Sequence, residues 1–292
     1  MFTRMEPIYQ SHNLQKFIAT WKDERKIKGL LNQQGLEWVY GTYIEEELVA
    51  LLIGWKNELH PYATYINIFR SDRYSWSEIE GEGLWKPVSD EGFFQIIVDE
   101  SEHEKGYQLK KKGFIELRKT YLSCLDVTGV KGTQMKTDYI KTLEWALGDA
   151  RVSKQLFMLV KRTYEETHRG NPVKDMNPYE WKELLLNDYV LKKESFVLLD
   201  PDTDGVTGFS FLHNSGDPDI LEQGWLGVDE IDCIDRLYDV IQLQYSLAQG
   251  TGVKKVEGEF DTTSPYAMWL MDTFPFMKGD VLITYQLGSN HS

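Results

Sequence analysis

The sequence predicts an α/β (α+β) chain of two tandem, similar domains, each a mixed, mostly antiparallel sheet flanked by helices. Three observations carry this. Runs rich in β-branched and aromatic residues alternate with stretches of helical period along the whole chain. Residues 223–276 read in order as strand, charged elbow, helix, strand, helix and aromatic stop. The two halves then repeat one plan: helix, hairpin, strand, elbow or helix, strand, helix, aromatic stop, strand. Self-similarity at domain size means two related domains rather than a solenoid. The predicted division is 1–127, a linker at 128–135, and 136–292.

In the first half, residues 12–31 carry apolar side chains at helical spacing (Leu14, Phe17, Ile18, Trp21, Ile27, Leu30, Leu31) and predict one helix. Residues 37–44 and 48–55 are β-rich and flank Glu45-Glu46-Glu47, a hairpin. A turn at Leu59-His60-Pro61-Tyr62 leads to a strand at 63–69. Residues 71–90 are polar and hold at most a short helix. A strand at 93–98 and a helix at 102–112 follow, with Gly113 as the left-handed cap. A long strand at 115–127 closes the half.

The linker is marked by Gly129 and Gly132. Residues 139–147 predict the first strand of the second half, 153–168 a helix, and the stretch around 179–187 another. Strands at 195–199 and 206–213 flank Asp200-Pro201-Asp202-Thr203-Asp204-Gly205, a strong turn. A strand at 224–228, an elbow at 229–236, a helix at 237–248, a strand at 253–259 and a helix at 264–272 complete the plan. A strand that feeds directly into a helix N-terminus leaves backbone N–H groups without intrahelical partners, a site for phosphate or another anion.

Composition bounds the function. Of 292 residues, 41% are hydrophobic and 13% aromatic, enough for packed cores. A net charge of −14 argues against nucleic acid or an anionic membrane as partner, because phosphate binding needs clustered Lys and Arg. It is compatible with small amines, or simply with solubility. Cys124 and Cys233 fit no metal or redox spacing, and Cys124 reads as a buried structural thiol. Met1-Phe2-Thr3-Arg4 opens no signal peptide and no apolar run approaches a membrane span, so a cytoplasmic protein is expected. Ser-His-Asp order, a P-loop, HExxH and the Rossmann glycines are all absent from the sequence.

Gly227-Val228-Asp229 at the end of a strand, an elbow, and Phe274-Pro275-Phe276 at the end of the later helix resemble the acetyl-CoA-binding half of the Gcn5-related N-acetyltransferases, the GNAT fold. In that family Gly-Val-Asp on the fourth strand leads into Gln/Arg-x-x-Gly-x-Gly/Ala, and a later helix ends in Leu-Gly-Phe. Lys112-Gly113-Phe114-Ile115 answers Phe274-Pro275-Phe276-Met277 in the other half, so the whole chain looks like a tandem GNAT pair. The first copy has nothing like the glycine elbow at 70–90, which places any chemistry in the second. The second elbow departs from the pattern too: Cys233, Arg236 and Tyr238 take the places of Gln/Arg, Gly and Gly/Ala.

The resemblance implies acetyl-CoA as acyl donor and a small-molecule or peptide amine as acceptor. Acyl transfer needs donors for the pyrophosphate, a group polarising the thioester carbonyl, and a base for the amine proton. The thioester contact falls to Leu226 and Val228, on a strand where Gly227 permits a β-bulge. The pyrophosphate falls to Cys233, Ile234, Asp235, Arg236 and Leu237, and a pantetheine or phosphate contact to Ser264. Glu222 takes the place of the base or water-holding residue, and Tyr266 that of the acid toward the thiolate. The family's tyrosine position itself is held by Met271.

Each assignment has a plainer alternative. Glu222 is also an ordinary strand-start carboxylate, Tyr266 a core aromatic, and Ser264 an N-cap. Asp229, Glu230, Asp232, Asp235 and Asp239 crowd the elbow, and carboxylates there are ordinary helix caps worth about 0.5–2 kcal/mol. Arg236 is either a phosphate contact or a surface partner of Asp232 or Asp239. The polar loop 164–172 would line the acceptor end, where Glu165 and His168 read as an ordinary surface pair rather than a metal site. Two functions stand open: an N-acetyltransferase acting through the second copy, and a catalytically inactive GNAT-shaped scaffold that binds another ligand or a protein, a reading that admits a homodimer.

Overall fold

The computed structural model describes residues 3–8, 12–21, 24–79, 84–88, 92–129, 138–186 and 189–288. In chain order they form β1 (Thr3–Pro7), α1 (His12–Ala19), α2 (Glu24–Asn32), β2 (Leu36–Ile44), β3 (Glu47–Lys56), β4 (Thr64–Arg70), α3 (Trp76–Ile79), β5 (Phe94–Asp99), α4 (His103–Lys112) and β6 (Ile115–Asp126). Then come β7 (Ile140–Thr142), α5 (Leu143–Gly148), α6 (Ala150–Thr167), α7 (Pro178–Leu185), β8 (Phe196–Leu199), β9 (Val206–Asn214) and β10 (Ile220–Val228). A 3-10 turn (Ile231–Arg236), α8 (Leu237–Gly250), β11 (Lys255–Asp261), α9 (Pro265–Thr273) and β12 (Met277–Leu287) complete the chain.

By compactness the chain divides into two units. One comprises Met1–Arg118, Gly170–Lys174 and Leu282–Ser292; the other comprises Lys119–Arg169 and Asp175–Val281. This division departs from the contiguous halves that the sequence suggests, because strand pairing ignores the linker. The sheet of the first unit runs β1-β2-β3-β4-β5 and is completed by residues 282–287 of β12, which pair antiparallel with β5. The sheet of the second runs from residues 119–126 of β6 through β11-β10-β9-β8 to β7. Within each unit one pair is parallel, β4 with β5 and β10 with β11, and the other pairs are antiparallel. Of the predicted linker, residues 130–135 lie outside the described residues.

Local chemistry explains most boundaries. β3 is a central strand whose residues 48–53 are all buried, so it reads as a continuous apolar run rather than an alternating one. Gly113 ends α4 at φ 103°, and its N–H donates to the Leu109 and Lys110 carbonyls. The Asp149 carboxylate caps α6 by accepting from the Arg151 and Val152 N–H groups. Asn177 and Glu180 form a reciprocal capping box on α7.

Three expectations are corrected. The single helix over 12–31 is two, α1 and α2. The strand over 139–147 is only the three-residue β7, because the Thr142 hydroxyl accepts from the Trp145 N–H and starts α5 there. Cys124 is half-buried rather than buried, as is Cys233, and both thiols are free.

Candidate functional site

Two features of β10 organise the second unit. Its parallel ladder with β11 runs from Ile220↔Lys255 to Gln223↔Gly258 and ends there, while β11 continues alongside β6 to Asp261↔Thr120. From Gln223 onward β10 and β11 diverge. At the base of that split, the pairing of β10 with β9 slips between Gln223 and Leu226, a bulge that holds Gly224 and Trp225.

The backbone of β10 beyond the bulge can be oriented. The Asp229 N–H donates to the Thr207 carbonyl of β9. Along a strand the polar groups of successive residues alternate in direction. Gly227 therefore turns its N–H to β9, and Leu226 and Val228 turn theirs into the split. The Val228 carbonyl, on the same side, accepts from Arg162 Nη2 at 3.3 Å, and the Asp229 carbonyl accepts from the same nitrogen at 2.6 Å.

Side chains alternate across the sheet as well. Gly227 faces α6, where a Cβ would stand 2.9 Å from Thr163 Cγ2. Val228 faces the other way and packs with Leu237 of α8 and Tyr266 of α9, with Leu226, Ile234 and Trp269 against them. Helices from both faces meet at the split: the Tyr266 hydroxyl on α9 donates to Glu166 on α6 at 3.5 Å, and Glu166 lies 4.0 Å from Arg162. Burial, then the Glu166 carboxylate, raises the Tyr266 phenol above its ordinary pKa, so it holds its proton through neutral pH. At the base, Gln223 is locked in a buried polar network. Its Oε1 accepts from the Tyr245 hydroxyl at 2.9 Å, its Nε2 donates to Ser210 Oγ at 3.2 Å, and that hydroxyl donates to Gln244 Oε1 at 2.6 Å.

The elbow is not an open row of N–H groups. It is a 3-10 turn that runs straight into α8 and consumes its own donors: Cys233 N–H donates to the Glu230 carbonyl, and Leu237 N–H to the Ile234 and Asp235 carbonyls. Asp229 Oδ1 accepts from the Glu230 N–H at 2.9 Å. The Asp235 carboxylate accepts from Trp269 Nε1 at 2.9 Å, which ties the elbow to α9. Tyr238 and Phe274 stack with centroids 5.4 Å apart and make a second tie between α8 and the end of α9. Arg236 is exposed and, among the described residues, forms no ion pair with Asp232 or Asp239.

Known structures share this overall fold. A GCN5-related N-acetyltransferase from Sphaerobacter thermophilus superposes with TM-score 0.58 at 11% identity, covering 97% of this chain and 95% of that one. A tandem GNAT protein from the clavulanic acid biosynthesis pathway superposes with TM-score 0.56 at 11% identity and covers both chains completely. The chain has the tandem GNAT fold. A glucosamine N-acetyltransferase region of a fungal multi-domain GH3 β-N-acetylglucosaminidase is similar as well, with TM-score 0.59 at 11% identity over 98% of this chain and 38% of that one. No family model matches the sequence, and no curated protein matches it.

Within this GNAT pair the first unit has a fork of its own. β4 and β5 pair only at Thr64↔Phe94 and Tyr65↔Gln95. One face beyond that point is filled by Ile66, Ile68, Ile96 and Val98 packed with Trp76, Ile79, Leu84 and Val88. Its base holds Asn171, whose Nδ2 donates to the Tyr65 hydroxyl at 2.7 Å and to Gln95 Oε1 at 3.2 Å. That face of the first fork is hydrocarbon, whereas the split of the second unit carries Tyr266, Glu166 and Arg162.

Of the residues singled out from the sequence, Leu226, Val228, Ile234, Leu237 and Tyr266 share one cluster at the split. Ser264 caps α9, its Oγ accepting from the Ala267 N–H at 3.2 Å, and Met271 is buried in the core. Glu222 is exposed, on the α6 face by strand alternation. In the loop after α6, His168 Nδ1 lies 2.8 Å from the Tyr164 carbonyl, and its ring stacks on Tyr164 with centroids 4.0 Å apart. Glu165 pairs instead with Lys161 at 3.7 Å.

Three residues escaped the sequence reading, Arg162, Trp225 and His213, whereas Glu166 belongs to the polar stretch 164–172 expected at the acceptor end. Trp225 sits in the bulge with its ring 4.7 Å from that of Tyr164, which also meets Trp181 edge-on at 5.6 Å. His213 ends β9 as the register partner of Glu222. The available signal was Gly224 beside Trp225, a glycine that marks a bulge inside a strand pattern.

Proposed function

We propose that this chain is an acyl-CoA-dependent N-acyltransferase acting through its second unit, with acetyl as the acyl group and an amine as acceptor. The observation that carries the reading is the split between β10 and β11, with a bulge at its base and the N–H groups of Leu226 and Val228 turned into it. A thioester arm lying in the split has its carbonyl oxygen polarised by those N–H groups. Tyr266, held protonated by burial, gives its proton to the departing sulfur. The amine approaches from the α6 face, where Glu222 and His213 are paired across β10 and β9. The fold shared with known GNAT structures supports the same reading.

The elbow favours a second reading. With its N–H groups turned inward and Asp235 held by Trp269, it offers the pyrophosphate no ready cradle, as suits a scaffold that has given up the donor. Calorimetric titration with acetyl-CoA at low salt separates the two. Under the transferase reading the wild type binds in the micromolar range, near −8 kcal/mol, and Trp269→Ala, which frees the elbow from α9, binds at least as tightly. No binding by the wild type, with binding restored in Asp235→Gly/Arg236→Gly, establishes a closed site and the scaffold. Silence from all of them overturns the transferase reading outright.

A further inference from the structure

Resting on the acyl-transfer reading of the second unit, we propose that His213 is the base that takes the proton from the acceptor amine. Geometry carries the assignment. His213 lies at the end of β9, opposite Glu222 on β10 and bridged on its other side by Val190. Its imidazole rests on the bulge: a Cβ added to Gly224 would stand 2.8 Å from Nε2 and 2.9 Å from Cε1. A side chain at 224 would push the ring from this place, so the glycine lets the imidazole lie against the bulge. The bulge that turns the Leu226 N–H into the split is therefore also the seat of an imidazole.

The ring is available. Among the described residues neither of its nitrogens has a hydrogen-bond partner, and neither is among the fully enclosed polar atoms that lack one, so the half-buried ring meets open space. The other histidines near the two forks are engaged: His60 with the Asn171 carbonyl, and His168 with the Tyr164 carbonyl and the Thr167 hydroxyl. Burial alone lowers the proton affinity of His213 below the ordinary imidazole value. On the elements around it the titratable groups are Glu222 on β10, Tyr189 beside the bridging Val190, and Tyr164 and His168 at the end of α6, and none of them contributes to that shift. The imidazole is thus neutral at neutral pH, the form a base requires.

The step balances. The amine nitrogen bonds to the acyl carbon as the C–S bond breaks with its pair on sulfur. The proton shed by nitrogen passes to His213 Nε2, and sulfur takes a proton from Tyr266. The imidazolium then returns its proton to the tyrosinate through water. Glu222, beside it, is exposed, whereas the imidazole is half-buried against the bulge.

The test uses the full chain labelled with 15N-histidine, acetyl-CoA, and two acceptors: water, and 2-phenylethylamine as a probe matched to the Tyr164, Trp181 and Trp225 rings. Acetyl-CoA is expected to move the ring 15N signals of His213. His213→Gln is expected to keep the acetyl-CoA affinity within about threefold while slowing thiol release by about 10²–10⁴-fold. The variant also loses the rise in rate that the wild type shows as pH climbs toward the ordinary imidazole value. Added imidazole restores part of the rate in His213→Ala. Unmoved His213 signals on saturation with acetyl-CoA overturn the assignment, as do an unchanged rate and pH profile in His213→Gln. If the wild type binds but releases thiol to neither acceptor, the 15N shift alone decides. A wild type that does not bind acetyl-CoA removes the acyl-transfer reading itself, a failure distinct from an inert histidine in an active enzyme.

Discussion

Tyr245 shows how one buried hydroxyl holds the base of the split. It is fully enclosed on α8, burial keeps its phenol protonated, and it donates to Gln223 Oε1 at 2.9 Å. Gln223 is the last residue of β10 to pair with β11. Tyr245→Phe removes the donor to the half-buried Gln223 oxygen, at a cost of about 0.5–1.5 kcal/mol. The expected outcome is a lower urea midpoint with an unchanged slope; an unchanged midpoint contradicts the role. At this scale the sequence was only partly legible. Glu222, Leu226, Val228 and Tyr266 are candidates that the resemblance to the GNAT cofactor half implies. Arg162 and His213 come to the candidate site from a helix and a strand distant in sequence, and no local pattern announces such contacts.

Among the elements, the elbow departs furthest from expectation. A strand entering a helix predicts unpaired N–H groups, but residues 231–236 tighten into a 3-10 turn whose i→i−3 bonds consume them. The carboxylates at the elbow pointed to capping, yet only Asp229 caps a backbone N–H there, and Asp235 is held by an indole instead. Most other elements were legible because their signals are local: the hairpin of β2 and β3, the Gly113 cap, and the apolar stripe of α6. The short β7 was not, since one threonine cap turned an apolar run into a helix.

The segment 170–174 is a further element whose place depends on a single contact set. Its Asn171 carbonyl accepts from His60 Nδ1 at 2.8 Å inside the first unit. Burial lowers the His60 pKa, against smaller raising effects from the Asn171 and Pro172 backbone. The unfolded chain, with an ordinary imidazole near 6.5, then binds the proton more readily than the folded one. Stability from this source is full above about pH 6.5 and is lost as pH falls below it. Unfolding by urea at pH 7 and pH 5 is expected to show that loss, and His60→Gln to shrink it; equal pH dependence in the variant contradicts the assignment.

At the scale of the whole molecule, the repeat of one plan was legible, and with it the tandem fold. The exchange of final strands was not, because a last strand carries no mark of which sheet it joins. Residues 119–126 complete one sheet and residues 282–287 the other. Both units keep a fork in their one parallel pair, but only the second has a bulge in the strand beside it, with tyrosine, arginine and glutamate at its opening. In the first unit β4 pairs with β3 without a register break. We therefore propose the second unit as the seat of acyl transfer.

The most direct test of that claim is amide hydrogen exchange at single-residue resolution, with and without saturating acetyl-CoA. Slowed exchange is expected at Leu226 and Val228, with no change on β4 or β5. Slowed exchange confined to β4 and β5, or none on β10, contradicts it.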